Sequence, residues 1–587
     1  MAGVSATSSM VPKDVPPLDA SMVPTSDLSV ASTAIMHKTA QIDPQKIVTP
    51  LIPAAWHSCL ENLKLLHMFS NVPVGLTQGF QLGASWALSS TSTLPNHKSA
   101  HDSPSIIDSH TSKELVLGCY SDPFLHTSLF NLIGHFCSAL LGLVSKPSSP
   151  GEFRMVQDFS FSHSEGQNNP VNSEINVEEF PCIWGLFDNV VQALLDLPEG
   201  SSAATFDVDT AYQCIPIHPD NQPSTIVSWH NQLYIDHCAP FGAASSNGLF
   251  AQCSNVMLMI LKASLGCCIV KWVDDYVIIR PPHDLPGGNT VEQDIYNVAL
   301  LLGWPWKSTK TKPFASSFIF LGSKWLIPAQ EVSILPKKQH RFLNKIAVWL
   351  NADRVLLKST QQLIGSLVHC TNVVCNGREW LAGLIHFSTT FPHAHCFCFI
   401  VCAKPALATQ DTLWWQAKLS ANVCCCTISP PPLAYPHKFF MDVSMSFGIA
   451  TSVDNHWAAW QLMQGWRSNS CNIGWAKILA LEMTLESAIA YSICNLLLHF
   501  CLDNQDIIFA MAASRLHNLE QNNAIKCIFA CSAQFGLHIN TSHIASDENP
   551  ADPLSCGVPI HTMPHCLWST PIPAHLAALL AFTLLSL

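Results

Sequence analysis

Asp274 and Asp275 stand side by side inside an otherwise apolar run, KWVDDYVIIR at 271–280. Two adjacent carboxylates held between apolar strands repel each other and lose hydration, a cost that a bound divalent cation removes. A hard cation with oxygen ligands, usually Mg²⁺, suits such a pair. The dipeptide alone does not require chemistry, because Asp favours hairpin turns for conformational reasons. A third carboxylate, Asp207, changes its meaning: it stands upstream in ATFDVDTAYQCIPIHP at 204–219.

The elements that must position these groups are short. Residues 267–273 (CCIVKWV) read as a buried strand and YVII after the aspartates as a second, which puts the acids at a tight hairpin turn. TFDV is another short strand with Asp207 near its end, and Tyr212 follows as the chain turns. Between the two acidic segments lies a Gly/Ser-rich turn, PFGAASSNGLF at 240–250, leading into a helix over 252–265. LGWPWKSTKTK and the IFLG of 319–322 come next.

This order of motifs resembles the palm of a reverse transcriptase. By that resemblance Asp207, Asp274 and Asp275 are the catalytic, metal-binding carboxylates. Tyr212 is the residue that screens the sugar 2′-hydroxyl, Phe241 and Gly242 the loop against nucleotide and template, and Lys310 the lysine near the triphosphate. Phe320, Leu321 and Gly322 match the primer-grip hairpin. Upstream, GLVSKPSSPGEFRMVQDFSF at 142–161 resembles the fingers, with Lys146 and Arg154 at basic positions and Asp158 in an R-x-V-x-D-x-S pattern. The resemblance gives Arg154 the triphosphate, a task suited to a planar, permanently charged fork. Without the other motifs, Arg154 would read as a solvated strand edge.

A second group of acids begins near residue 431. HKFFMDVSMSFGIATS reads as two strands around a turn with Asp442 at the end of the first, and 473–490 as an amphipathic helix. HFCLDNQDII is a strand ending at Asp503, and Asp552 stands at the entry to a last helical turn. This arrangement resembles ribonuclease H, in the version found in DIRS-class retrotransposons, which the GREWLAGL and DTLWWQAKL stretches also fit. Four carboxylates there hold two cations that activate water. The family's helix carries W-A-Glu, whereas this chain has Trp475-Ala476-Lys477. An ammonium at that position competes with the cation, so RNA cleavage is expected to be lost or severely reduced. Glu482 lies five residues on, about 140° around the helix, and cannot replace the missing acid.

Composition bounds these readings. The 587 residues predict roughly four domains. The charged share of 12% is about half the ~25% of ordinary globular proteins, and the net charge of −12 argues against a polybasic nucleic-acid binder. The 24 cysteines lack regular spacing, so a reducing, intracellular compartment, cytoplasm or nucleus, is expected rather than a disulfide scaffold. His393, His395, Cys396, Cys398 and Cys402 cluster without paired C-x-x-C spacing, and packing is the preferred reading of them. No secretory signal stands at the start, and the apolar run 576–587 is too short to span a bilayer, reading instead as a packed or stray tail.

The expected fold is an α+β polymerase right hand, with fingers, a ferredoxin-like palm and a helical thumb/connection, followed by an α/β ribonuclease H-like domain with a mixed sheet. Its expected parts are a disordered tail (1–47), an N-terminal extension with a Ser/Pro/His-rich linker (48–112), fingers and palm (113–332), thumb/connection (333–430), the ribonuclease H-like domain (431–560) and a C-terminal tail (561–587). The implied partners are an RNA or DNA template-primer duplex and deoxynucleoside triphosphates, with two Mg²⁺, or Mn²⁺, at the polymerase site and no membrane. The competing readings are a catalytically inert relic that at most binds nucleic acid, and a purely structural or interaction protein.

Overall fold

The computed structural model describes residues 44–84, 88–146, 151–161, 169–391, 400–467, 471–516 and 518–583. Most of the expected tail, and His393, His395, Cys396 and Cys398, lie outside them. The chain divides into two compact units, Met1–Leu321 and Gly322–Leu587.

Among the described residues, the first unit holds two four-stranded sheets. One is mixed: β1 (Ser138–Ser145) pairs antiparallel with β2 (Phe153–Asp158) and parallel with β4 (Ile226–Trp229), which pairs antiparallel with β5 (Gln232–Ile235). The other is antiparallel, in the order β6-β7-β3-β8, from β3 (Ser202–Asp207), β6 (Cys268–Trp272), β7 (Asp275–Arg280) and β8 (Lys312–Ala315). Residues 276–279 of β7 are buried without alternation, as a central strand covered on both faces requires. The helix Ser246–Leu265 packs on this sheet, with Phe250, Val256, Met257, Ile260 and Leu261 in one core with Phe206, Tyr276 and Trp304. It is long and apolar enough to cross a bilayer by length and composition, but those apolar side chains serve the core. Gly266 ends it in the left-handed conformation, φ 66°.

The Ser/Pro/His-rich stretch expected to be linker departs from that reading. Helices Lys98–Asp102 and Pro104–Leu117 occupy much of it, and Ala100 and Ile107 are fully buried beside Leu141 and Val227. A few apolar residues at helical spacing outweighed the polar composition.

In the second unit, β10 (Ser323–Leu326) and β11 (Glu331–Ile334) form a hairpin that β14 (Cys425–Thr427) extends, and β12 (Arg354–Leu356) pairs with β13 (Val401–Ala403). Helices Pro336–Asn351, Leu357–Cys370 and Ala406–Leu419 accompany them. The large sheet runs β19-β18-β15-β16-β17-β20, from β15 (Ala434–Val443), β16 (Gly448–Val453), β17 (His456–Leu462), β18 (Leu497–Leu502), β19 (His538–His543) and β20 (Leu580–Thr583). Pairing is parallel across β15, β18 and β19 and antiparallel elsewhere. The helix Ile473–Ala490 crosses it, started by Asn472, whose side chain accepts from the Trp475 amide at 3.0 Å.

Two expectations change here. The helix is not amphipathic but buried nearly all round, from Ile478 through Leu485 without a break, because the sheet and the helix Leu519–Gln534 cover it from different sides. The stretch after 560 returns to the sheet: β20 pairs with β17, and Leu576 and Leu580 are buried in the same core as Phe439 and Trp460.

Candidate active site

The hairpin β6–β7 turns at Val273 and Asp274, closed by the Trp272–Asp275 pair. Val273 sits at φ 51°, a left-handed conformation that a β-branched residue adopts only when its surroundings impose it. One such constraint is the Asp274 carbonyl, which accepts from the Val208 amide at 2.9 Å. Because β3 runs beside β7 with Asp207 directly opposite Asp275, the last residue of one strand and the first of its neighbour bring two carboxyls together.

The electrostatics follow from that register. Burial, then the charges of Asp274 and Asp207, push Asp275 up to about 6, and its carboxyl hydrogen-bonds that of Asp207. Asp274 is also raised, chiefly by burial, with Asp207 adding to the shift while Lys310 and Arg154 oppose it. Lys310 Nζ donates to Asp207 Oδ2 at 2.6 Å. Burial works against the Lys310 charge, but Asp207, Asp274 and Asp275 together raise its pKa overall. These three acids, Lys310 and Arg154 thus share one field.

Aromatic side chains border it. Tyr212 opens a short 3-10 turn, and its pKa rises through burial and then the Asp274 charge. Its ring lies 5.6 Å from that of Phe241 and 6.1 Å from that of Phe250, centroid to centroid. Gly242 has φ 143°, and a Cβ there would come within 2.0 Å of the Gln157 carbonyl oxygen, so the loop presses directly on β2. Arg154, on β2, lines a cavity of about 230 Å³ with Phe241, Gln157, Gln213 and Asp236. Lys146 is engaged with Glu152 at 2.9 Å, and Asp158 receives the Ser160 amide and lies 3.0 Å from His97 Nε2. Phe320 ends the short strand β9 (Ser317–Phe320), and Leu321 and Gly322 turn after it with φ of 50° and 71°.

Other contributors were not read from the sequence. Lys307 Nζ donates to Asp209 Oδ1 at 2.7 Å and its amide to the Asp207 carbonyl at 2.8 Å, fixing the segment that carries Lys310. The alternation Asp207/Asp209 against Lys307/Lys310 was the available signal. Asn247 accepts from the Tyr212 hydroxyl at 2.9 Å, and Asn172 bridges the Gly242 carbonyl and the Ala244 amide. Nothing in sequence spacing marks those two. Lys271 on β6 is buried with its Nζ 4.5 Å over the Trp184 ring, and burial lowers its pKa to about 7.

The second group of acids is brought together by β15 and β18, which pair in parallel and end one residue past Asp442 and immediately before Asp503. Lys477 points between them: its Nζ lies 2.5 Å from Asp503 Oδ1 and 3.9 Å from Asp442 Oδ1. Burial opposes ionisation of Asp503, yet the Lys477 hydrogen bond and charge outweigh it and the pKa falls. Asp442 stays raised by burial, so the ammonium serves mainly Asp503. Asp552 opens a short helix whose Ser555 hydroxyl donates to Asp442 Oδ2 at 2.7 Å. Glu482 faces away from this group and pairs with His575 at 3.1 Å.

No protein-family model matches the chain, and no curated protein matches it either. Among solved structures it is similar to the foamy viral protease-reverse transcriptase in complex with RNA/DNA hybrid, at 14% identity and a TM-score of 0.47, over 84% of this chain and 63% of that one. It is similar also to the foamy viral protease-reverse transcriptase in complex with dsDNA, at 14% identity and a TM-score of 0.43, over 85% of this chain and 98% of that one. The chain thus spans less than two thirds of the first of these. These are likenesses of overall fold, in mixed sheets and helices.

Proposed function

We propose that the chain is a retroelement-derived, template-directed DNA polymerase of the reverse transcriptase type. The observation that carries this reading is the meeting of Asp207, Asp274 and Asp275 across the β3–β7 register, with Lys310 and Arg154 in the same field. Asp274 and Asp275, driven toward protonation by burial and neighbouring negative charge, form with Asp207 the donor set that a hard divalent cation relieves, so Asp207, Asp274 and Asp275 would hold Mg²⁺ or Mn²⁺. Such cations supply activation of the primer hydroxyl and neutralisation of the leaving pyrophosphate. Lys310, more than half exposed beyond its Asp207 contact, and Arg154 place positive charge for a triphosphate. Tyr212, held by Asn247 and backed by Phe250, presents a fixed ring where a ribose 2′-hydroxyl would clash. Phe320, Leu321 and Gly322 would grip the primer.

In the second unit, Asp442, Asp503 and Asp552 read as a ribonuclease H-like remnant in which Lys477 supplies the positive charge that a cation would otherwise bring. The Trp475-Ala476 and Ala551-Asp552-Pro553 motifs support an origin in the DIRS class.

The test is primer extension by the full-length chain on an RNA template with Mg²⁺ and the four deoxynucleotides, beside an Asp274→Asn/Asp275→Asn control. Extension by the parent, abolished in the control, is expected. No extension by folded protein overturns the reading in favour of an inert nucleic-acid-binding relic, which Lys477 and the net charge of −12 favour. For the second group, a labelled RNA–DNA hybrid is offered to the full-length chain and to Lys477→Glu. Cleavage is expected only from the variant, and equal cleavage by both would refute the loss.

A further inference from the structure

The side of the helix Ile473–Ala490 turned away from Lys477 carries a second constellation. Glu482 is 2% exposed, and its Oε2 has no hydrogen-bond partner among the described residues, while Oε1 meets His575 Nε2 at 3.1 Å. Cys527, on the helix Leu519–Gln534, completes a triangle in which one ligand atom from each of Glu482, Cys527 and His575 lies within 4.8 Å of the others. One turn along both helices, Cys531 donates its thiol to Glu486 Oε1 at 3.3 Å. A buried carboxylate oxygen without a donor is costly, and packing alone gives no reason to set that carboxyl beside a thiol and an imidazole.

We propose that Glu482, Cys527 and His575 form a zinc site. Thiolate, imidazole and carboxylate together are a borderline-soft donor set of the kind Zn²⁺ prefers over Mg²⁺ or Ca²⁺. Tetrahedral Zn²⁺ with bonds of about 2.0–2.3 Å holds its ligand atoms about 3.3–3.8 Å apart, which the observed triangle reaches with small side-chain adjustments. Water occupies the fourth position, on the side where His575 reaches solvent. Binding replaces the Cys527 thiol proton, released to solvent, and requires neutral His575. The cation would cross-link the two packed helices to the segment just before β20, securing the last strand of the sheet. The site is independent of the polymerase reading and of Asp442, Asp503 and Asp552.

The test uses the full-length chain carrying Cys396→Ser/Cys398→Ser, which removes thiols of the other His/Cys-dense stretch. It is loaded with Zn²⁺ or Co²⁺ and desalted. The expected result is one more equivalent of cation retained than in the same protein bearing Cys527→Ser, and a thiolate-to-cobalt charge-transfer band that Cys527→Ser abolishes. His575→Ala, at an exposed position, is expected to lose the same equivalent with an unchanged circular dichroism spectrum, and it decides the matter alone if Cys527→Ser does not fold. Equal retention by the parent and His575→Ala, or a cobalt spectrum without a thiolate band in the parent, overturns the site.

Discussion

Asp275 shows how one register position sets a chemical property. Its pKa in the folded chain, up to about 6, lies above its ordinary 3.8. Between those values the folded protein holds a proton that the unfolded chain has released, so stability falls as pH rises through about 4 to 6 and stays lower above. Asp275→Asn removes the ionisation. Without divalent cation, the variant is expected to melt above the parent at pH 8 and level with it at pH 4, and excess Mg²⁺ should narrow the gap at pH 8 by stabilising the parent alone. Equal melting at both pH values would show that the carboxylates do not crowd as described. Lys477 is the opposite case, a charge that relieves its neighbours. Lys477→Met leaves Asp442 and Asp503 facing each other and is expected to cost about 3 kcal/mol in urea unfolding at pH 7.

Short elements place these residues, and their legibility differed with the signal each carried. Apolar runs such as YVII, and the FFM before Asp442, announced their strands, so the hairpin acids and Asp442 near the end of β15 could be located from the sequence. The loop at Gly242 was legible only as a small-residue turn, since its tightness comes from β2, distant in sequence. Composition misread 98–110 as linker, because two buried apolar residues are enough to dock short helices that polar residues otherwise dominate. The long helix of the second unit looked amphipathic because its polar residues have partners inside the fold: Glu482 and Thr484 are buried and Lys477 is half-buried. Gly242→Ala tests the loop. The added methyl must displace the Gln157 carbonyl and with it the bond from the Gln157 amide to the Phe241 carbonyl, now 3.2 Å. A stability loss of about 2 kcal/mol is expected, with weaker apparent affinity for deoxynucleotides as Phe241 shifts against Tyr212. An unchanged melting temperature and KM would mean the loop yields without consequence.

At the scale of the molecule, the consequential misreading is the boundary at 560. A tail with few charges and no obvious period gave no reason to extend the second unit, because β20 is only four residues long and its pairing with β17 is a tertiary fact. Ending the chain there would remove Leu576 and Leu580 from the core and strip β17 of its outer partner, β20. Two buried leucines are worth about 4 kcal/mol or more, which in a unit of this size lowers the melting temperature by about 10 °C. The exposed edge of β17, with Trp457 and Trp460 along it, also becomes a template for pairing with another chain. A chain truncated after residue 560 is therefore expected to show an early unfolding transition and concentration-dependent association in sedimentation. Leu567→Ala, in the same segment but 91% exposed, should leave both unchanged. If truncation instead behaves like Leu567→Ala, residues 561–583 are an appendage, and any isolated fragment beginning near 431 can end at 560; if it fails as argued, cleavage assays on the second group of acids require the chain through β20.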